Sequence, residues 1–199
     1  MSVSSSISKQ VSTSGGGSRV SHRHARAFSG GEPLAVELEA HLRFRENKER
    51  SSVVTSGVPS SRVRQILGAV LELAMLKGIE PRMLQVDVHR GDTGRYRHDY
   101  GLALAMAMVS SLVKKPIAPE ILLLGDVDLC GNVRDVPARV IDRLNDAINA
   151  FEIETPLTVI LATDSATWVN GSSTVQVLSV PTLTAAVAAV WPGQTLRAY

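Results

Sequence analysis

The side chains able to do chemistry fall into a few short stretches of this 199-residue chain. Arg90, Arg95, Tyr96, Arg97 and His98 form the densest basic cluster of its body, with one aromatic ring among the charges. Arginines interleaved with an aromatic can grip phosphates and stack on a base, so these five residues are the candidate nucleic-acid or partner surface. Asp92 and Asp99 lie beside them, and the competing expectation is a solvated loop with balanced charge. A second basic run, Arg43, Arg45, Lys48 and Arg50, is diluted by Glu46 and Glu49.

Catalytic combinations are weaker. A serine hydroxyl needs a base within hydrogen-bond reach before it attacks anything. Ser110 and Ser111 stand near Lys114 and Lys115, which is also how a helix C-terminus decorated with lysines reads. His98-Asp99 and Asp87-x-His89 are explained by a helix cap and the wet face of a strand. Asp126 and Asp128 share one strand face and could hold a metal, whereas His22 and His24 are too few ligands to define one. The sequence has no GxxxxGK string, and Gly91-Asp92-Thr93-Gly94 reads as a turn. Cys130, the single cysteine, excludes an intramolecular disulfide and any cysteine-based zinc site. It is expected as a buried, inert thiol.

The elements that must position these groups centre on 99–133. Gly101 to Val113 is apolar on all sides, the pattern of a helix enclosed by the rest of a domain. A proline-bounded turn follows, then a strand-like run from Ile121 to Leu124. Val127, Leu129 and Val133, broken by Gly125 and Gly131, predict strands with tight bends. Upstream, Leu34 to Phe44 alternates as a strand with one wet face, Arg45 to Ser51 is a charged turn, and Ser52 to Thr55 is the expected returning strand. Ser60 or Ser61 then caps a helix ending near Gly78, and Met83 to His89 alternates again. Asp99 is placed to cap the central helix. Ala138 to Phe151 is amphipathic, Leu157 to Ala162 and Val175 to Val180 are apolar strands, and Thr182 to Val190 is a short closing helix.

Composition is that of an ordinary globular chain, 44% hydrophobic and 20% charged. The longest apolar stretch is too short for a membrane span. The net charge of +2 is unevenly placed: Lys9, Arg19, Arg23 and Arg26 precede the first acid, Glu32. Without those four, 17 of the 21 basic residues face 19 acidic ones, so bulk charge does not make the body a nucleic-acid binder. Residues 1–31, rich in Ser, Gly and Arg and poor in large apolar residues, read as a leader unable to fold alone. They are expected to be a mitochondrial presequence, with Arg26-Ala27-Phe28-Ser29 as its processing site, or else a retained basic arm. The expected organisation is therefore leader 1–31, domain 32–192 and tail 193–199.

Four phrases, in order, carry a resemblance: SVVTSGVPSSRVRQ (Ser52 to Gln65), the helix Gly101 to Val113, GDVDLCGNVRDVPAR (Gly125 to Arg139) and VQVLSVPTLTAAVAAVW (Val175 to Trp191). Together they resemble the Lon-protease-like domain family, in the version that ends bacterial RadA/Sms recombination proteins and, similarly, opens ComM-type proteins. The resemblance spans about Glu32 to Pro192. It implies a two-layer α/β fold shared with the second domain of the small-subunit ribosomal protein number five. Proteolytic members pair a serine just before the central helix with a lysine on the next amphipathic helix. Matched residue by residue, the serine position falls on Asp99 and the lysine position on Arg139 or Val140. The ATPase domain and zinc module of RadA-type proteins have no counterpart in the sequence.

These observations lead to the expectation of a non-catalytic module without a cofactor. The setting expected for it is the mitochondrial matrix, as a scaffold or binding subunit of a large ribonucleoprotein such as the mitochondrial ribosome or an assembly intermediate. Its expected partners are proteins of that assembly and ribosomal RNA, with DNA as the alternative ligand and self-association allowed. An ATP-independent recombination accessory and a peptidase with an unrecognised site are the competing functions.

Overall fold

In the computed structural model, the described residues are 23–30, 34–44, 52–76, 78–79, 81–89, 100–150 and 156–193. Nine strands and five helices alternate along them. The strands are β1 (His24–Phe28), β2 (Ala35–Phe44), β3 (Ser52–Ser56), β4 (Pro81–His89), β5 (Ile121–Leu123), β6 (Asp126–Val127), β7 (Val133–Arg134), β8 (Leu157–Leu161) and β9 (Val175–Ser179). The helices are α1 (Ser60–Leu73), α2 (Gly101–Val113), α3 (Ala138–Ala150), α4 (Thr163–Ala166) and α5 (Leu183–Val190). Seven strands form one mixed sheet in the order β3-β4-β2-β1-β5-β8-β9, in which β2 alone runs against the others. β6 and β7 make a separate antiparallel ribbon.

Strand alternation sorts the core into two halves. Ala25, Ala27, Val36, Leu38, Ala40, Leu84, Val86, Leu123 and Ile160 face α1, α2 and α5. Their neighbours Phe28, Leu122, Leu124, Val159 and Leu161 face the opposite way, against Val140, Ile141, Leu144 and Ile148 of α3. The fold class is thus mixed α/β, as expected, but helices lie on both faces of the sheet. The expected two layers hold over β3, β4, β2 and β1. A third layer covers β5 and β8, because those strands are apolar on both faces.

α2 fills the middle of the larger core, and every residue from Gly101 to Ser110 is buried. Its all-round apolarity is what such a position requires, since sheet, α1, α5 and the ribbon surround it. Lys114 ends it in the left-handed conformation (φ 53°), and Pro116 cannot continue a helix. Cutting back Leu104 or Met106 to Ala costs about 2–5 kcal/mol, the usual effect of opening a cavity in a closed core.

Several expectations are corrected. The leader was expected to stop at Gly31, yet β1 lies inside it and forms a middle strand, antiparallel to β2 and parallel to β5. Ala25 and Ala27 are buried and the Arg26 guanidinium donates to the Pro119 carbonyl. A cut after Phe28 would remove a strand joining the two halves of the sheet. β3 does not return along β2; it pairs parallel with β4, which inserts between them after the α1 crossover. The α1 cap is Pro59, whose carbonyl accepts from the backbone N–H groups of Arg62 (3.0 Å) and Val63 (3.1 Å), and the helix stops at Leu73. The cap residue of α2 is Tyr100 rather than Asp99, with no side-chain cap bond; Asp99 itself lies outside the described residues.

The ribbon stands apart from the main sheet, so its turn is not core. Leu129 is 62% exposed, and Cys130, expected buried, is exposed. The cause is an Asp-initiated turn with Gly131 at φ 80°: the Asp128 carboxylate accepts from the N–H groups of Cys130 and Asn132, both at 2.9 Å, which turns the intervening side chains outward. The base of the ribbon is held, with Val133 N–H donating to Pro181 O (3.0 Å) and Leu183 N–H to Gly131 O (2.8 Å).

Candidate functional site at the start of the central helix

Three segments meet where α2 begins. Leu102 N–H donates to the Gly125 carbonyl at 2.9 Å, which draws the first turn of α2 against the start of the ribbon. Gly125 sits at φ 108° with the Arg134 carbonyl so near that a Cβ would come within 2.9 Å of it, so only glycine fits. Asp126, next in the chain, then faces Gly101 across a gap that no side chain could enter.

The third segment is the first turn of α1. Arg62 there forms an ion pair with Asp126, and its other terminal nitrogen donates to the Gln65 side-chain oxygen. The two side chains are 15% and 20% exposed. Asp126 Oδ1 also accepts from the Val127 N–H at 2.8 Å. Burial draws the Arg62 guanidinium below its ordinary pKa, the Tyr100 phenol opposes that, and the nearby Arg134 adds to it. Arginine nevertheless stays charged at any working pH, so the pair is a permanent one. A cation in the first turn opposes the helix dipole, and α1 has no acid there to offset it; Asp126 supplies the missing countercharge from another element.

The two aspartates read from the sequence as a shared metal face have separate duties. Asp126 answers Arg62, whereas Asp128 holds the ribbon turn, accepting also from Asn132 Nδ2 at 3.1 Å and lying 3.9 Å from Arg134. Burial pushes the Asp128 carboxyl up, but the hydrogen bonds from Asn132 and Cys130, with Arg134 behind them, outweigh it and leave its pKa below the ordinary value. Among the described residues, no three His, Cys, Asp or Glu side chains come together as metal ligands.

The other chemical combinations also have structural work. Ser110 Oγ donates to the Lys115 carbonyl, and Ser111 Oγ accepts from Leu42 N–H at 3.3 Å, so neither hydroxyl faces a lysine amine through these bonds. His24 is on β1 opposite Glu39, at 3.8 Å. At the lysine position, Val140 is buried in the smaller core and Arg139 is exposed. Arg90, Arg95, Tyr96, Arg97, His98 and His22 lie outside the described residues, as do the side chains of Asp87 and His89. The structure shows only that β4 ends at His89 and α2 begins at Gly101, so the basic run connects those two ends.

Sequence reasoning missed Arg62 and a second buried group. Ser165 is 4% exposed; its Oγ donates to Asp135 Oδ1 (2.9 Å) and accepts from Val136 N–H (2.8 Å), tying α4 to the chain entering α3. With the Ser165 N–H also donating to Asp135 Oδ1 at 3.1 Å, this contact fastens the two segments together. The signal for Arg62 was available: a basic residue in an acid-free first turn needs a partner from elsewhere. No family model matches the chain, and no curated protein matches it.

Proposed function

We propose that this chain is a non-catalytic Lon-like domain that acts as a binding or scaffold subunit. The observation that carries the reading is the start of α2. In the resemblance the nucleophile position falls on Asp99, which has no hydroxyl, and the lysine position on a buried valine or an exposed arginine; beside them the described start of α2 is closed by a permanent Arg62–Asp126 ion pair against Gly101. The rigid sheet and enclosed helix then serve to present surface. The basic run at 90–98, leading into that same helix, is the proposed contact for a phosphate-bearing or protein partner.

The proposed setting is a mitochondrial ribonucleoprotein. Its support is the acid-free, Ser- and Arg-bearing composition of residues 1–22, and any processing compatible with the sheet falls before His24. Sedimentation of the tagged full chain from cell extracts tests this. Co-migration with ribosomal particles that survives DNase and is lost with RNase supports the reading. Retention that is lost with DNase replaces it with a DNA accessory, and migration as a free protein under both treatments discards it.

A further inference from the structure

We propose that β3 is a self-association edge that pairs antiparallel with β3 of a second copy, joining two sheets across a two-fold axis. This is independent of the function proposed above. The sheet has two edges, β3 and β9. An edge strand presents unpaired backbone N–H and C=O groups, and soluble proteins blunt such edges with charge, proline, a bulge or a cover. The β9 edge is partly blocked: Ser172 N–H donates to Val175 O (3.1 Å) and Val175 N–H to Ser172 O (3.2 Å), folding the preceding chain onto the first residue of the strand.

Among the described residues, β3 has no such device. Its five residues, Ser-Val-Val-Thr-Ser, contain no charge, proline or glycine. Among the described residues only β4 pairs with it. Val53 leans on the core, so alternation sends Val54 to the opposite face, where none of the described helices covers β3 and the side chain is 51% exposed.

The partner indicated is another copy because the strand is complementary to itself. Antiparallel pairing about Val54 sets Ser52 opposite Ser56, Val53 opposite Thr55 and Val54 opposite its own symmetry mate. The β-branched residues meet and no like charges oppose. Such a contact is isologous and closes as a dimer. A β3-to-β9 contact would be parallel, since the two edges run in one direction, and would propagate head to tail.

Sedimentation velocity of the full chain over a concentration series tests the proposal. The wild type is expected to show a monomer–dimer equilibrium. V54K and V54E are each expected to lose the dimer, because position 54 then faces its own charge, and an equimolar mixture of the two is expected to restore it as a heterodimer. Gln176→Lys on β9 is expected to leave dimerisation unchanged. Thermal transitions check that each variant folds; if the Val54 variants do not, S52K/S56K and S52E/S56E, exposed on the same strand, give the same two arms. A wild type monomeric at every concentration, a charge-swapped mixture that stays monomeric, or a dimer abolished by Gln176→Lys would each overturn it.

Discussion

Gly101 and Asp126 approach so closely that a side-chain carbon built on Gly101 would sit 3.1 Å from the Asp126 Cα, with the carboxylate nearer still. The first turn of α2 can therefore rest on the ribbon only because residue 101 has no Cβ. Gly101→Ala would normally favour a helix, but here backbone or carboxylate must shift. The expected result is a loss of about 1–3 kcal/mol, the cost of overpacking a close contact, measured by denaturant unfolding. An unchanged or higher midpoint would show that the contact relaxes freely.

The Arg62–Asp126 pair is mostly buried, so removing one partner leaves a charge without compensation. Arg62→Met should destabilise by about 1–3 kcal/mol, below the full cost of a wholly buried pair because both side chains retain some solvent contact. Asp126→Asn in the same background should recover part of that loss. A double-mutant cycle is the measurement, and coupling under about 0.5 kcal/mol would mark the pair as independent charges.

β1 makes a prediction about length. Deleting residues 1–22 should preserve a cooperative thermal transition, whereas deleting 1–28 should abolish it, since β2 and β5 each lose one of two strand partners and the sheet is split between them. Circular dichroism melts of the two truncations settle the order. Equal stability would mean that β1 contributes nothing to the fold.

Asp128 gives a pH signature. Its carboxyl titrates lower in the folded chain than in the unfolded one, so the unfolded state takes up its proton first as pH falls. The stabilisation is complete above the ordinary carboxylate pKa of about 4 and is lost as pH drops through the lower folded value. Asp128→Asn should therefore be destabilising at pH 7, with the gap from wild type narrowing below about pH 4 in unfolding experiments. A gap independent of pH would assign the effect to shape alone.

Much of the architecture was legible in the chain. α2 occupies Gly101–Val113 as its uniform apolarity indicates, and the 3.6-residue pattern placed the start of α3 at Ala138, where it is observed. β1 was not legible, because two of the three residues that His-Ala-Arg-Ala-Phe buries are alanines, and small buried side chains leave little hydrophobic signal beside the polar His24 and Arg26. The partner of β3 was not legible either: alternation reveals a strand's faces, not its neighbour, and α1 carries the chain across to β4. At the site, Asp126 was visible as a carboxylate but its countercharge, 64 positions earlier, was not. The exposure of Cys130 followed from one carboxylate organising a turn, a local competition that hydropathy does not report.

The most direct measurement is labelling of the full chain with a serine-reactive phosphonate, read by intact mass beside an active serine–lysine peptidase. The proposed reading, with Asp99 at the position matched to the nucleophile, predicts no adduct under conditions that saturate the control. A stoichiometric adduct on one serine, lost on unfolding, would show an activated hydroxyl in this chain and contradict the account.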